Sequence, residues 1–379
     1  MPAYRWVVLA TGTLALTSFS AVYFGIAVLA PALQDAYDLG LGKAGILLAA
    51  INVGALLTLL PWGLAADRFG ERVVTATGLT VAAAMLVAAA FAGSFLSLLA
   101  ALVAAGASAA SVNAATGRAV MHWFPRAQRG LALGVRQTAV PIGGLLAAVV
   151  LPHLSPRSGL LVLAGGCFAA ALVGGLLLHE AVADEDEGVS LPSLQTLRNR
   201  RIWRLSCGSS LLVVPQLCLV GFAVLFLHER RGFSPGAAAG VLAAVQVLGA
   251  GARIGAGRWS DRLGDRIVPL RRIALALAAS VALTALLVPS PRVLLVPAIV
   301  VAGGLSMSWN GLSFTAAAET AGHARSGAAL GLQQTALSAA GAALPPAFGV
   351  LVAATSWEVG FALVALAPLA AWSVLGRLS

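Results

Sequence analysis

The sequence predicts an all-α membrane protein in which twelve transmembrane helices form two pseudo-symmetric six-helix bundles. Composition is the first reason. Of 379 residues, 59% are apolar and 10% charged, and the mean hydropathy is +0.93, values that a water-soluble domain of this length does not carry. The second reason is a repeat. GLAADRFGER at 63–72 returns as GRWSDRLGDR at 257–266, about half the chain later, each time directly after a long apolar stretch. Both copies share the pattern G-x-x-x-D-R-x-G-x-R. The third is length: a hydrocarbon core of roughly 30 Å needs about 20 apolar residues per helix.

Windows of that size fall at 6–29, 42–64, 73–93, 95–118, 130–152 and 158–179 in the first half. The second half gives 202–227, 235–257, 267–288, 292–316, 327–351 and 355–376. These set the domains at 1–180 and 202–379, joined by a linker at 181–201. Long continuous runs rich in Ala, Leu and Gly exclude a β-barrel, whose wall alternates over short segments. Arg5 precedes the first apolar run as it would in a secretion signal, but that run ends only near Pro31, Asp35 and Asp38, so a retained helix is expected.

Basic residues fix the orientation. Arg68, Arg72, Arg126, Arg129, the cluster Arg198 to Arg204, Arg258 to Arg272, Arg325 and Arg377 fall on one side; Lys43, Arg157, Arg230, Arg231 and Arg292 fall on the other. The positive-inside bias then places both termini in the cytoplasm of a multi-pass protein of the inner (cytoplasmic) membrane. The net charge of +10 therefore reads as topology and attraction to lipid headgroups, not as a nucleic-acid surface, because it is spread over short loops. Cys167, Cys207 and Cys218 all lie in spans without metal-ligand spacing, so no metal or cofactor is expected.

The repeat extends beyond the loops. Ala44 to Leu47 corresponds to Ala239 to Leu242, Asn113 to Asn310, and Gly130 to Thr138 to Gly327 to Thr335. Two similar bundles can rock between inward-open and outward-open forms at little difference in energy. The linker opens with the acidic run Asp184 to Glu187 and closes with an arginine-rich amphipathic stretch, Leu191 to Arg204, read as a surface helix.

These residues resemble the major facilitator superfamily over essentially the whole chain, through G-x-x-x-D-R-x-G-x-R after the second span and its echo after the eighth. The stretch WFPRAQRGLALGVRQTAVPIGG at 123–144 is similar to bacterial permeases of the cyanate and nitroimidazole type and, more distantly, to monocarboxylate transporters. The resemblance implies a conformational latch made of Gly63, Asp67, Arg68, Gly70 and Arg72 with Asp261, Arg262 and Arg266. A carboxylate is favoured at a helix N-terminus, so Asp67 is expected near Gly327 and Asp261 near Gly130. The alternative for the arginines is plain topological loop charge.

Ionisable groups inside a bilayer are costly and are functional candidates by default. Arg118, Arg136 and Arg253 are the three that the windows place within spans, with no Asp or Glu beside them. Arg136 has Gln333 as its repeat partner, an asymmetry that suits a site needing one cation. Monocarboxylate transporters carry an arginine at the place of Arg253 and an acid one turn earlier, where this chain has Gly249. The alternative for both arginines is snorkelling to headgroups, the reading preferred for Arg118. Neutral candidates for substrate contact are Phe19 and Tyr23 on the first span, Gln137, Gln246, Trp309, Asn310 and Gln334, with interhelical bonding as the plainer duty of each.

The charge inventory favours a secondary transporter of a small organic or inorganic anion, because guanidinium forks suit a carboxylate or cyanate. A drug exporter of the same superfamily is the alternative, weakened by the missing buried acid. A membrane enzyme is not expected: no H-E-x-x-H, G-x-S-x-G or phosphate loop occurs. A sensor would need a signalling domain that is not seen. The expected partners are a small-molecule substrate and membrane lipids, with no nucleic acid and a monomeric state.

Overall fold

The computed structural model describes residues 4–179, 199–321 and 326–378. Most of the 181–201 linker, with its expected surface helix, lies outside them. Among the described residues twelve helices are long and apolar enough to cross a membrane. We number them α1 (Tyr4–Tyr37), α2 (Leu41–Ala66), α3 (Arg68–Ala90), α4 (Phe95–Val120), α5 (Ala132–His153), α6 (Pro156–Leu177), α7 (Arg200–Glu229), α8 (Pro235–Leu263), α9 (Ile267–Leu286), α10 (Arg292–Ala321), α11 (Ala329–Ala354) and α12 (Trp357–Gly376).

The helix starts follow local chemistry. Ser94, Ser155, Ser234 and Ser356 each accept a backbone N–H of the first turn of α4, α6, α8 and α12, satisfying donors that a helix leaves unpaired. Asp265 does the same for α9, accepting from the N–H groups of Ile267 and Val268 at 2.6 and 2.8 Å. Large apolar side chains such as Leu60, Leu96, Leu286 and Val293 are exposed, the outward faces that helices turn to lipid.

Two compact units result, Met1–Leu39 with Ile46–Val189 and Gly40–Gly45 with Ser190–Ser379. In the first, α1 packs against α4, α5 and α6. Its approach to α5 is close: a Cβ added at Gly143 would lie 2.5 Å from the Thr17 carbonyl oxygen and 2.7 Å from the Ala21 nitrogen. In the second, α12 packs on α7 and α9, and α8 on α10.

Several spans are interrupted. A break at Ala110 splits α4, Thr138 marks one in α5, and Met307 to Trp309 separate Arg292–Ser306 from Asn310–Ala321 in α10. Within α7 a single π-turn runs Gln216–Val220. Interruptions of this kind free backbone groups that side chains can then satisfy.

Candidate functional site

Arg136 lies on α5 and is 5% exposed. Its Nε donates to Thr116 Oγ1 on α4 at 2.8 Å, and an Nη donates to the Asn113 carbonyl at 3.5 Å. Thr116 in turn donates to the Val112 carbonyl at 2.7 Å, so its one proton is committed and its oxygen is free to accept. No carboxylate among the described residues lies within ion-pairing distance of Arg136. The result is a buried cation held by neutral oxygens.

The second half builds the same motif with other side chains. Gln333, wholly buried on α11, donates its Nε2 to Ser209 Oγ on α7 and Ser313 Oγ on α10, both at 2.6 Å. Ser313 stands at the repeat position of Thr116, and Ser209 at that of Gly12. A Cβ added at Gly12 would touch Thr116 Cβ at 3.2 Å, so the first half has removed the side chain that the second half uses as a hydroxyl.

Arg253 on α8 donates its Nε to the Met307 carbonyl at 3.2 Å, where α10 breaks. Position 249, where the acid of the monocarboxylate pattern would stand, faces Met307: a Cβ there would lie 2.8 Å from its Sδ. Glycine at 249 thus makes room for the methionine. Gln246 and Trp309 are buried, and among the described residues neither amide atom of Gln246 nor the Trp309 indole nitrogen has a hydrogen-bond partner. Asn310, Gln137 and Gln334 are half-buried, as are Phe19 and Tyr23 on α1. Tyr23 meets Phe24 edge-on, with ring centroids 5.0 Å apart.

The first DRxGxR segment is helical apart from Gly70, whereas the second leaves the helix after Leu263 and re-enters one at Ile267. Their shared glycines explain the turn between spans: Gly70 has φ 78° and Gly264 φ 64°, backbone that favours a residue without Cβ. Gly63 is half-buried in α2, and Arg68 lies over the Phe69 ring. Arg72 donates to the Gly175 carbonyl of α6 at 2.5 Å. The side chain of Asp67 is outside the described set, and so are the surroundings of Gly327 and Gly130. Arg262 and Asp261 are exposed. Asp261 accepts from Arg266 Nη1 at 2.5 Å, and Arg266 also reaches Glu319 on α10 at 3.2 Å. Burial works against the Arg266 charge, but the bonds to Asp261 and Glu319 prevail and raise its pKa.

One expectation from the charge inventory is overturned. An acid does lie inside a span: α3 begins at Arg68, not at 73, and Glu71 in its first turn is 4% exposed. Glu71 Oε1 takes Arg118 Nε at 3.3 Å and His122 Nδ1 at 3.0 Å, both on the helical segment Ser111–Trp123 that forms the second part of α4 and runs past its end. Arg118 is therefore an ion-paired residue and not one that merely snorkels. Neither Glu71 nor His122 was singled out by the sequence, because a hydropathy window ends where the charges of the motif begin. The hydroxyls Thr116 and Ser209 were missed as well, although the repeat register aligns Thr116 with Ser313.

The model of the Major Facilitator Superfamily matches residues 12–345. The chain belongs to the Major Facilitator Superfamily. An uncharacterized MFS-type transporter of Mycobacterium tuberculosis is 38% identical over 377 residues, covering 97% of this chain and 84% of that one. The hexuronate transporter of Bacillus subtilis is 26% identical over 125 residues, 33% of this chain and 30% of its own length. Among solved structures, a bacterial homolog of the human lysosomal transporter Spinster, inward-facing and occupied, shares the superfamily fold with a TM-score of 0.81 at 18% identity, covering 99% of this chain and 96% of that one. This member of the superfamily is thus a secondary transporter and not an enzyme.

Proposed function

We propose that the protein carries a small anion of carboxylate or cyanate type across the cytoplasmic membrane by rocker-switch alternating access, with both termini in the cytoplasm. The observation that carries this reading is Arg136, a buried guanidinium bonded to Thr116 and the Asn113 carbonyl with no acid beside it among the described residues. Burying a cation without a counter-ion is expensive. A substrate anion offsets that cost, and the planar fork of arginine suits two acceptor oxygens. The hexuronate transporter among the relatives bears the name of a carboxylate substrate, which agrees in charge. The buried acid that a cation exporter would use is present as Glu71, but it is committed to Arg118 and His122.

Thermal unfolding of the purified protein, scanned against small carboxylates, cyanate and cationic drugs, tests the charge preference. A ligand at 100 times its Kd stabilises the folded state by about 2.7 kcal/mol. Arg136→Gln, which copies the residue of the second half, is expected to unfold cooperatively and to lose the anion-induced shift. An unchanged shift in this variant removes Arg136 as the contact, and stabilisation by cations alone removes the anion reading. Uptake of the stabilising anion into proteoliposomes without ATP then tests transport itself.

A further inference from the structure

Within the second unit, α9 and α12 leave an apolar groove of about 500 Å³ between them. Small side chains such as Ala278, Ala282 and Ala365 line it, and Leu286 and Leu366, 75% and 56% exposed, flank them. Both ends are marked by charge. At one end Arg271 lies over the Trp372 ring at 5.0 Å, one turn before Leu275 on α9 and one turn after Leu369 on α12, the last lining residues on that side. At the other end Arg231 donates to the Val288 and Ser290 carbonyls just past α9. Beside it Arg230 acts electrostatically on Glu358, which stands one turn before Ala362 on the groove face of α12. Among the described residues no ion pair joins Arg230 to Glu358 directly.

Length selects the occupant. From Leu275 to Leu286 is about 16 Å at 1.5 Å per residue, roughly half of a hydrocarbon core about 30 Å thick. A spanning helix of a second copy needs a seam about twice as long, and Arg271 with Trp372 interrupts it. A single acyl chain matches one leaflet. Left empty, the groove would forfeit dispersion contacts along both helices. We propose that the groove between α9 and α12 binds one phospholipid of the phosphatidylethanolamine class, with an acyl chain along the alanines, the phosphate at Arg230 and the ammonium donating to Glu358. The two residues offer one charge of each sign, which a zwitterionic headgroup complements. Phosphatidylglycerol brings no cation to Glu358. This site lies within one unit and does not depend on the identity of the transported molecule.

Native mass spectrometry of the full-length protein in mild detergent, incubated with equal amounts of phosphatidylethanolamine and phosphatidylglycerol, tests the proposal. Wild type is expected to retain one lipid and to favour phosphatidylethanolamine up to about fivefold, the scale of a partly exposed ion pair. Glu358→Gln should keep a lipid but lose the preference. Ala279→Phe, which fills the groove from an exposed lining position, should lose the lipid, whereas Leu283→Phe, exposed on α9 outside the groove, should keep it. No lipid on wild type, or equal retention by Ala279→Phe, overturns the site. A preference for phosphatidylglycerol, or one that survives in Glu358→Gln, overturns the headgroup assignment. A wild-type dimer that Ala279→Phe converts to monomer gives the groove to a second copy and overturns the lipid as its occupant.

Discussion

The charge clusters beside the two DRxGxR turns join the same elements with opposite polarity. In the first bundle the acid stands on α3, at Glu71, and the bases Arg118 and His122 stand on the α4 segment. In the second bundle the base is Arg266, next to α9, and the acid on α10 is Glu319, at the repeat position of His122. Asp265, the repeat partner of Glu71, caps α9 instead. What the duplication has kept is a tie between the turn and the neighbouring helix, and the residues that make it have been exchanged. The ties also differ in depth: side-chain exposure is 6% for Glu71 against 67% for Asp261 and 54% for Glu319. The first tie is therefore placed to affect folding, and the second to be adjustable.

Breaking the buried tie is expected to have the largest effect. Arg118→Met leaves Glu71 with His122 as its remaining side-chain partner among the described residues, and should destabilise the protein by about 2–3 kcal/mol, below the usual cost for a fully buried pair because Arg118 is partly solvated. Thermal unfolding in detergent reads this directly. The double variant Glu71→Gln with Arg118→Met should recover much of the loss, whereas additive losses would show that the two side chains are not coupled.

A smaller loss, about 1 kcal/mol, is expected for Asp265→Ala, which removes the cap of α9. Faster amide exchange should be confined to the first turn of α9, with α10 unaffected. Exchange spreading into α10 would mean that Asp265 takes part in the tie and that the polarity comparison is drawn wrongly. Arg266→Gln should have the smallest effect, below about 1 kcal/mol, as exposed pairs do. The gap between this variant and wild type should close in high salt; a salt-independent gap would make the second tie a packing contact.

The twelve spans and the two-fold repeat were legible because hydropathy and a recurring turn do not depend on tertiary contacts. The register also brought Arg136 and Gln333 to equivalent positions, and the structure buries both. Glu71 escaped because Gly70 turns the chain without a loop, letting α3 begin among charges that a window reads as solvent-exposed. The hydroxyls of Thr116 and Ser209 escaped for another reason. Serine and threonine in membrane helices usually bond their own backbone, and these do so too; only packing reveals that their lone pairs hold a guanidinium or an amide.

The close contact at Gly143 reaches further than its own position. Residues 136 and 143 are about 10 Å apart along α5 at 1.5 Å per residue, and α1 meets α5 at backbone distance beside Gly143. With no side chain between them there is no compressible layer, so any wedge introduced at 143 must shift the α5 backbone itself. Affinity for the carried molecule could then be retuned by steric leverage from a residue two turns away from the cation, without altering a single polar group.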